Sequence, residues 1–227
     1  MCATNRLLWI IFLFLSVVCS ANGQKVSGVD FDVIKQNISN PASPFHYPGL
    51  LKKFQAADTT LTADDYTHLY YGQVFQDTYS PYSADDDDFL KVYNNQQYQE
   101  AIPLGETVLA QHPLSLKVLF KLLVCYDALG NKVLARSYAR RYFSLSRAIV
   151  ASGDGKSHET AYVVTAVPDE YQVVRDLELQ PAGRQSLIGQ TDVLTVKAEN
   201  AKDDAPSRLY FNVSQPLAHL RGQFNKK

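Results

Sequence analysis

The sequence predicts an α+β protein, an N-terminal helical array followed by a small antiparallel β-sheet. Three observations predict it. Apolar residues recur at helical spacing through the first two thirds of the chain, as at Tyr66, Leu69, Tyr70 and Val74. After Gly153 the pattern changes to short stretches rich in Val, Thr and Tyr, punctuated by Pro and Gly. The chain is 227 residues long with an ordinary apolar share of 46%, enough for one domain or two small ones and too apolar for a largely disordered chain.

The first segment is an export signal. Arg6 is its only charge before Lys25, residues 7–18 form an apolar run broken only by Ser16, and small or polar residues 19–23 follow. That order is the tripartite pattern of a cleavable signal peptide, and the run is too short for a membrane span of about 20 residues. Cleavage after Gly23 fits, as does cleavage after Ala21. The expected product is free in the periplasm or at the cell surface. Lipid anchoring at Cys19 is disfavoured because the branched Val18 precedes it. Removing residues 1–23 takes away the only Trp, the only Met and two of the three cysteines. Cys125 then has no disulfide partner, and its neighbours Leu122, Leu123 and Val124 predict a buried, inert thiol in a helix.

Residues 30–152 are predicted to be helical. Phe31, Ile34 and Ile38 share one face of a short helix from Asp30, and Pro41 and Pro44 enforce a loop. Leu50, Leu51 and Phe54 follow Pro48 as a second short helix. Thr62-Ala63-Asp64-Asp65 is a capping-box variant that starts a third, which residues 79–83 break. The acidic run 85–88 lacks the alternation and turn glycine of a calcium loop and leads straight into Phe89-Leu90, so it predicts a helix N-terminus.

A weak repeat follows. Ala101 and Ala135 are spaced like Gly105 and Ala139, with Pro113 closing the first unit. The common offset, about 34 residues, is that of tetratricopeptide repeats, so residues 86–150 predict one and a half to two degenerate helical hairpins of that kind, without the usual tryptophan.

Residues 153–220 are predicted to form the sheet, packed on the helices. Candidate strands are 160–167, 171–179, 193–196 and 209–213, separated by turns at Pro168-Asp169-Glu170 and Gln180-Pro181-Ala182-Gly183.

The segments Tyr66-Thr67-His68-Leu69-Tyr70-Tyr71-Gly72 and Gly153-Asp154-Gly155-Lys156-Ser157-His158-Glu159-Thr160-Ala161 resemble hallmarks of a secreted Bacteroidetes family catalogued as domain of unknown function 4919. The resemblance runs over about residues 30–220. It implies a Gram-negative host and an envelope compartment, and it carries no activity.

A net charge of −1 argues against a broad electrostatic footprint for nucleic acid or anionic membrane. Gly153-Asp154-Gly155-Lys156-Ser157 has Val150 where a phosphate-binding loop requires its first glycine, and it leaves a helix rather than opening one. The five histidines include no metal-ligand pair at helical spacing, and no serine-nucleophile elbow is present, so no metal, cofactor or catalytic set is expected. Two functional expectations remain. The first is a protein or peptide interaction module that presents a concave, Tyr-bearing helical surface. The second is a small hydrolase or ligand-binding protein with a pocket between helices and sheet, where Tyr70, Tyr71, Asp154, Lys156, His158 and Glu159 would have to meet.

Overall fold

A computed structural model describes residues 28–82, 86–200 and 206–224. The signal segment, Cys19 and Asp85 lie outside the described residues. Helices come first: α1 (Phe31–Ser39), α2 (Tyr47–Gln55) and α3 (Ala63–Gly72), the last running into a 3₁₀ turn, Gln73–Phe75. Their starts follow the local chemistry. The Asp30 carboxylate accepts from the amides of Asp32 and Val33. Pro48 sits in the first turn of α2, where a missing amide costs nothing. Thr62 and Asp65 close a reciprocal capping box on α3.

Two helical hairpins follow, α4 (Asp87–Asn94) with α5 (Tyr98–Gln111), and α6 (Leu116–Ala128) with α7 (Lys132–Ala151). Asp87 and Asp88 occupy the first turn of α4, where they complement the exposed amides. Ala101 and Ala135, at matching places in α5 and α7, are both buried. Gly105 shows why a small residue is needed. A Cβ there would lie 2.8 Å from the Phe89 ring of α4 and 2.9 Å from the Leu122 side chain of α6, so it seats α5 against both neighbours. Cys125 is fully buried in α6, and burial pushes its thiol up to about 11.

The C-terminal part comprises β1 (Tyr162–Val163), α8 (Val167–Asp176), β2 (Leu179–Ile188), β3 (Thr191–Ala198), β4 (Arg208–Asn212) and α9 (Ser214–Phe224). The sheet order is β1-β4-β3-β2. β2, β3 and β4 are antiparallel, but β1 runs parallel to β4, so the sheet is mixed rather than wholly antiparallel.

Three sequence expectations change here. Of residues 171–179, only Leu179 is strand, as the first residue of β2. Val173 and Val174 sit in α8, whose first turn is the segment Pro168-Asp169-Glu170 expected to be a turn. The spacing of Val173 and Leu177 fits a helix as well as a strand, and proline with two acids is helix-start chemistry. Residues 180–183 lie inside β2, where a bulge falls between Pro181 and Gln185. β2 is an edge strand, so Pro181 is tolerated. Of residues 160–167, two pair as a strand.

The helices and the sheet share one buried cluster, which includes Phe54, Tyr70, Leu122, Tyr142, Val174, Val196 and Phe211. α7 packs against α3, α6, α8 and β1 and so links the two parts.

Candidate functional site

Eight of the fourteen tyrosines are buried in the core, so the helices do not display a broad tyrosine surface. Tyr70 and Tyr71 are among them. A buried phenol needs a hydrogen-bond partner, and both have one. Tyr71 Oη donates toward the carbonyls of Ala148 (3.2 Å) and Val163 (3.1 Å). Tyr70 Oη donates to Asp169 Oδ2 at 2.7 Å and accepts from the Thr165 amide at 3.2 Å.

The loop at residues 153–160 is folded on itself. The amides of Asp154 and Gly155 both donate to the Thr160 carbonyl, at 2.9 and 2.8 Å. Lys156 N donates to Asp154 Oδ1 and Ser157 N to Thr160 Oγ1. Four successive amides, those of residues 154–157, are therefore spent inside the loop instead of facing a phosphate. Gly155 has φ +67°, and a Cβ there would come within 2.3 Å of the Tyr162 ring. The glycines serve the tight link from α7 to β1. Lys156, His158 and Glu159 are exposed, and Asp154 is half-buried. His158 packs its edge on Tyr210, 5.1 Å between ring centres, at the outer face of the sheet. Tyr70 and Tyr71 thus sit in the core while Lys156, His158 and Glu159 are at the surface, and neither tyrosine lines either of the two cavities described here.

The better-formed of these cavities is elsewhere. It is a cleft of about 250 Å³ between the start of α2, the segment after α3, the α5–α6 connection and the start of α8. Tyr47, Leu51, Val108 and Leu114 give it apolar walls, and Tyr79, Tyr82 and His112 add amphipathic ones. Lys117 and Asp86 line it as an ion pair at 3.1 Å. The start of α8 is pinned there through Thr165. The Thr165 carbonyl accepts from Tyr79 Oη at 2.6 Å, and its hydroxyl accepts from Gln73 Nε2 at 2.8 Å.

Asp169 stands in the cleft wall in the first turn of α8 and is 4% exposed. Burial raises its carboxyl to about 7, against the Tyr70 hydrogen bond, which pulls the other way. Its neighbour Glu170 is not part of the cleft lining and is fully buried. Both of its carboxyl oxygens lack a hydrogen-bond partner among the described residues, as does Asp192 Oδ1. Burial, then the charges of Asp192 and Asp169, push Glu170 up to about 9. Glu170 is therefore a neutral acid at pH 7.

Ser115 lines the cleft too, but its hydroxyl caps α6 by accepting from Val118 N. Among the described residues, no group of three or more His, Cys, Asp or Glu is arranged to hold a metal ion. No described helix is long and apolar enough to cross a membrane.

Over residues 32–221 the chain matches the family described as a domain of unknown function (DUF4919). The chain belongs to this family. No curated protein and no solved structure matches it. In this DUF4919 chain, sequence reasoning missed Asp169, Thr165 and Tyr79. Their signal, a Pro-Asp-Glu helix start after a Thr, is present in the sequence, but a turn accounts for it equally well.

Proposed function

We propose that this protein is an exported, non-catalytic interaction module that grips a segment of a protein partner in the Asp169 cleft. The supporting observation is a buried carboxylate in the wall of an amphipathic cleft, with Tyr70 as its hydrogen-bond donor and no described basic side chain paired to it. A buried carboxylate without a cation is costly, and a ligand amine brings the missing charge. The volume favours a side chain over a whole small molecule, because ligand pockets usually hold about 300–1,000 Å³ and this one holds about 250 Å³. The anchor is accordingly a lysine side chain or a free peptide amine, its carbon stem lying against Tyr47, Leu51 and Tyr82. The packed α4–α5 and α6–α7 hairpins, read as tetratricopeptide-like from the spacing of about 34 residues, support the same class of function by analogy, since such hairpins serve as rigid scaffolds for peptides. Export rests on the segment at residues 1–23, and a Bacteroidetes envelope on the family resemblance.

Site-specific photo-crosslinking in cells tests this reading. A photoreactive phenylalanine analogue at Tyr82, which is 43% exposed, should capture a discrete protein partner through a lysine-bearing or N-terminal segment. Asp169→Asn, which keeps the acceptor for Tyr70 and removes the charge, should abolish the adduct. Crosslinks that persist unchanged in Asp169→Asn would overturn the proposal. So would the absence of any adduct above that of a probe placed at Val133 on the far-exposed start of α7.

A further inference from the structure

The outer face of the sheet carries positive charge that its own strands do not balance. Residues opposite one another in an antiparallel ladder share a face. The register therefore sets Ser186, Val193 and Tyr210 in one row, and Thr195 with Arg208 in the next. Arg184 completes that second row, its carbonyl accepting from Thr195 Oγ1 at 3.1 Å. Lys197 follows two residues beyond Thr195 on the same face. Leu194 and Val196 alternate to the other face and enter the core.

Arg184 and Arg208 are exposed, and neither forms an ion pair among the described residues. β2 and β4 contain no acidic residue. The single acid of β3, Asp192, has the opposite parity and accepts from Gln185 beside α8. Arg184, Arg208, His158, Tyr210, Val193 and Ile188 line a shallow groove on this outer face. Its volume is about 470 Å³.

We propose that this groove docks an extended acidic peptide segment of a partner protein, independently of the Asp169 cleft. The spacing and the chemistry define the segment. Arg184 and Arg208 stand two strands apart, roughly 10 Å, which a chain in the extended polyproline II conformation covers in one three-residue turn of about 3.1 Å per residue, so that positions i and i+3 face the same way. Two carboxylates at positions i and i+3 would each meet one guanidinium in the planar geometry that arginine favours. The side chains between them would lie on Val193, Ile188 and the Tyr210 ring. A membrane or nucleic acid is the weaker fit, because the chain as a whole is slightly negative (−1) and would not be drawn to a polyanionic surface.

The test uses the full mature chain and a short peptide, Gly-Glu-Thr-Val-Glu-Thr-Gly, bearing a neutral fluorophore and followed by fluorescence polarisation. Expected is saturable binding with Kd on the order of 100 μM or tighter. It should weaken at least tenfold when both glutamates are replaced by glutamine, and again when salt is raised from 50 to 500 mM. Arg184→Glu with Arg208→Glu should remove it. The Gln pair at the same positions serves if the charge-reversed chain does not fold by circular dichroism. No saturation below 1 mM, or binding that survives the double substitution, overturns the proposal. Equal or tighter binding to phosphatidylglycerol vesicles or to heparin fragments overturns the peptide assignment. Asp169→Asn should leave peptide binding here unchanged, which separates failure of this site from failure of the cleft.

Discussion

Replacing Glu170 with Gln should stabilise the protein, and the gain should grow with pH. In the unfolded chain the carboxyl titrates at its ordinary 4.5, whereas in the fold it titrates at about 9. Between those values the folded state must hold a proton that the unfolded state releases, so stability falls as pH rises from about 4.5 toward 9. At pH 7 the gap between pH and the unfolded value corresponds to roughly 3 kcal/mol at 1.36 kcal/mol per unit. Glutamine has the shape of the protonated acid and cannot ionise, so it removes the pH-dependent cost without changing the packing. Urea denaturation of both chains at pH 4, 6 and 8 measures the effect. Expected are near-equal stabilities at pH 4, a difference of about 2–3 kcal/mol at pH 7, and a larger one at pH 8. In a chain of this size that corresponds to a Tm shift of roughly 5–10 °C at pH 7. A variant no more stable than the parent at pH 8, with the same pH slope, would refute the claim that Glu170 is buried as a strained acid.

Other changes should act through named contacts. Gly155→Ala forces a side chain to φ +67° and drives a Cβ to 2.3 Å from Tyr162, so it should cost about 2–4 kcal/mol in thermal or urea unfolding. Tyr70→Phe leaves the Thr165 amide and Asp169 without their shared hydroxyl and should cost about 1–3 kcal/mol, whereas Tyr82→Phe on the surface should cost nothing measurable. Gly105→Leu should separate α5 from Phe89 and Leu122 and lower the far-ultraviolet melting temperature by several degrees, at a cost of about 1–3 kcal/mol. Native Cys125 should resist a thiol reagent at pH 8 and react fast in urea, because its thiol is buried and shifted up to about 11.

The helical part was legible because its signals are local. Asp30, Pro48 and Thr62 mark starts that need nothing beyond the next turn, and each helix begins there. Gly105 and Ala101 announced close packing, though not which neighbours they face. The sheet was less legible. Pro168-Asp169-Glu170 serves a turn or a helix start equally, and the choice is made by Val173 and Val174 finding the core of α7 and the sheet. The parallel pairing of β1 with β4 has no local trace at all, since two residues of strand are held by register alone. The candidate site was less legible for a related reason. Tyr70 and Tyr71 stand out in sequence as polar-tipped aromatics, yet their hydroxyls serve partners more than 70 residues away. No sequence pattern separates a phenol that closes a core from one that faces a ligand.

Thr165 gives the molecule a property that stacked hairpins ordinarily lack. Arrays of helical pairs tend to unzip from their ends, because each unit touches its neighbours only. Here the amide, carbonyl and hydroxyl of one residue between β1 and α8 are held by Tyr70, Tyr79 and Gln73, from the opposite end of the array. The first helices therefore cannot fray without releasing the strand-to-helix link that feeds the sheet. Unfolding should proceed as a single cooperative event rather than repeat by repeat. These contacts span up to 95 residues of chain, so they close late and slow the folding that makes that cooperativity possible.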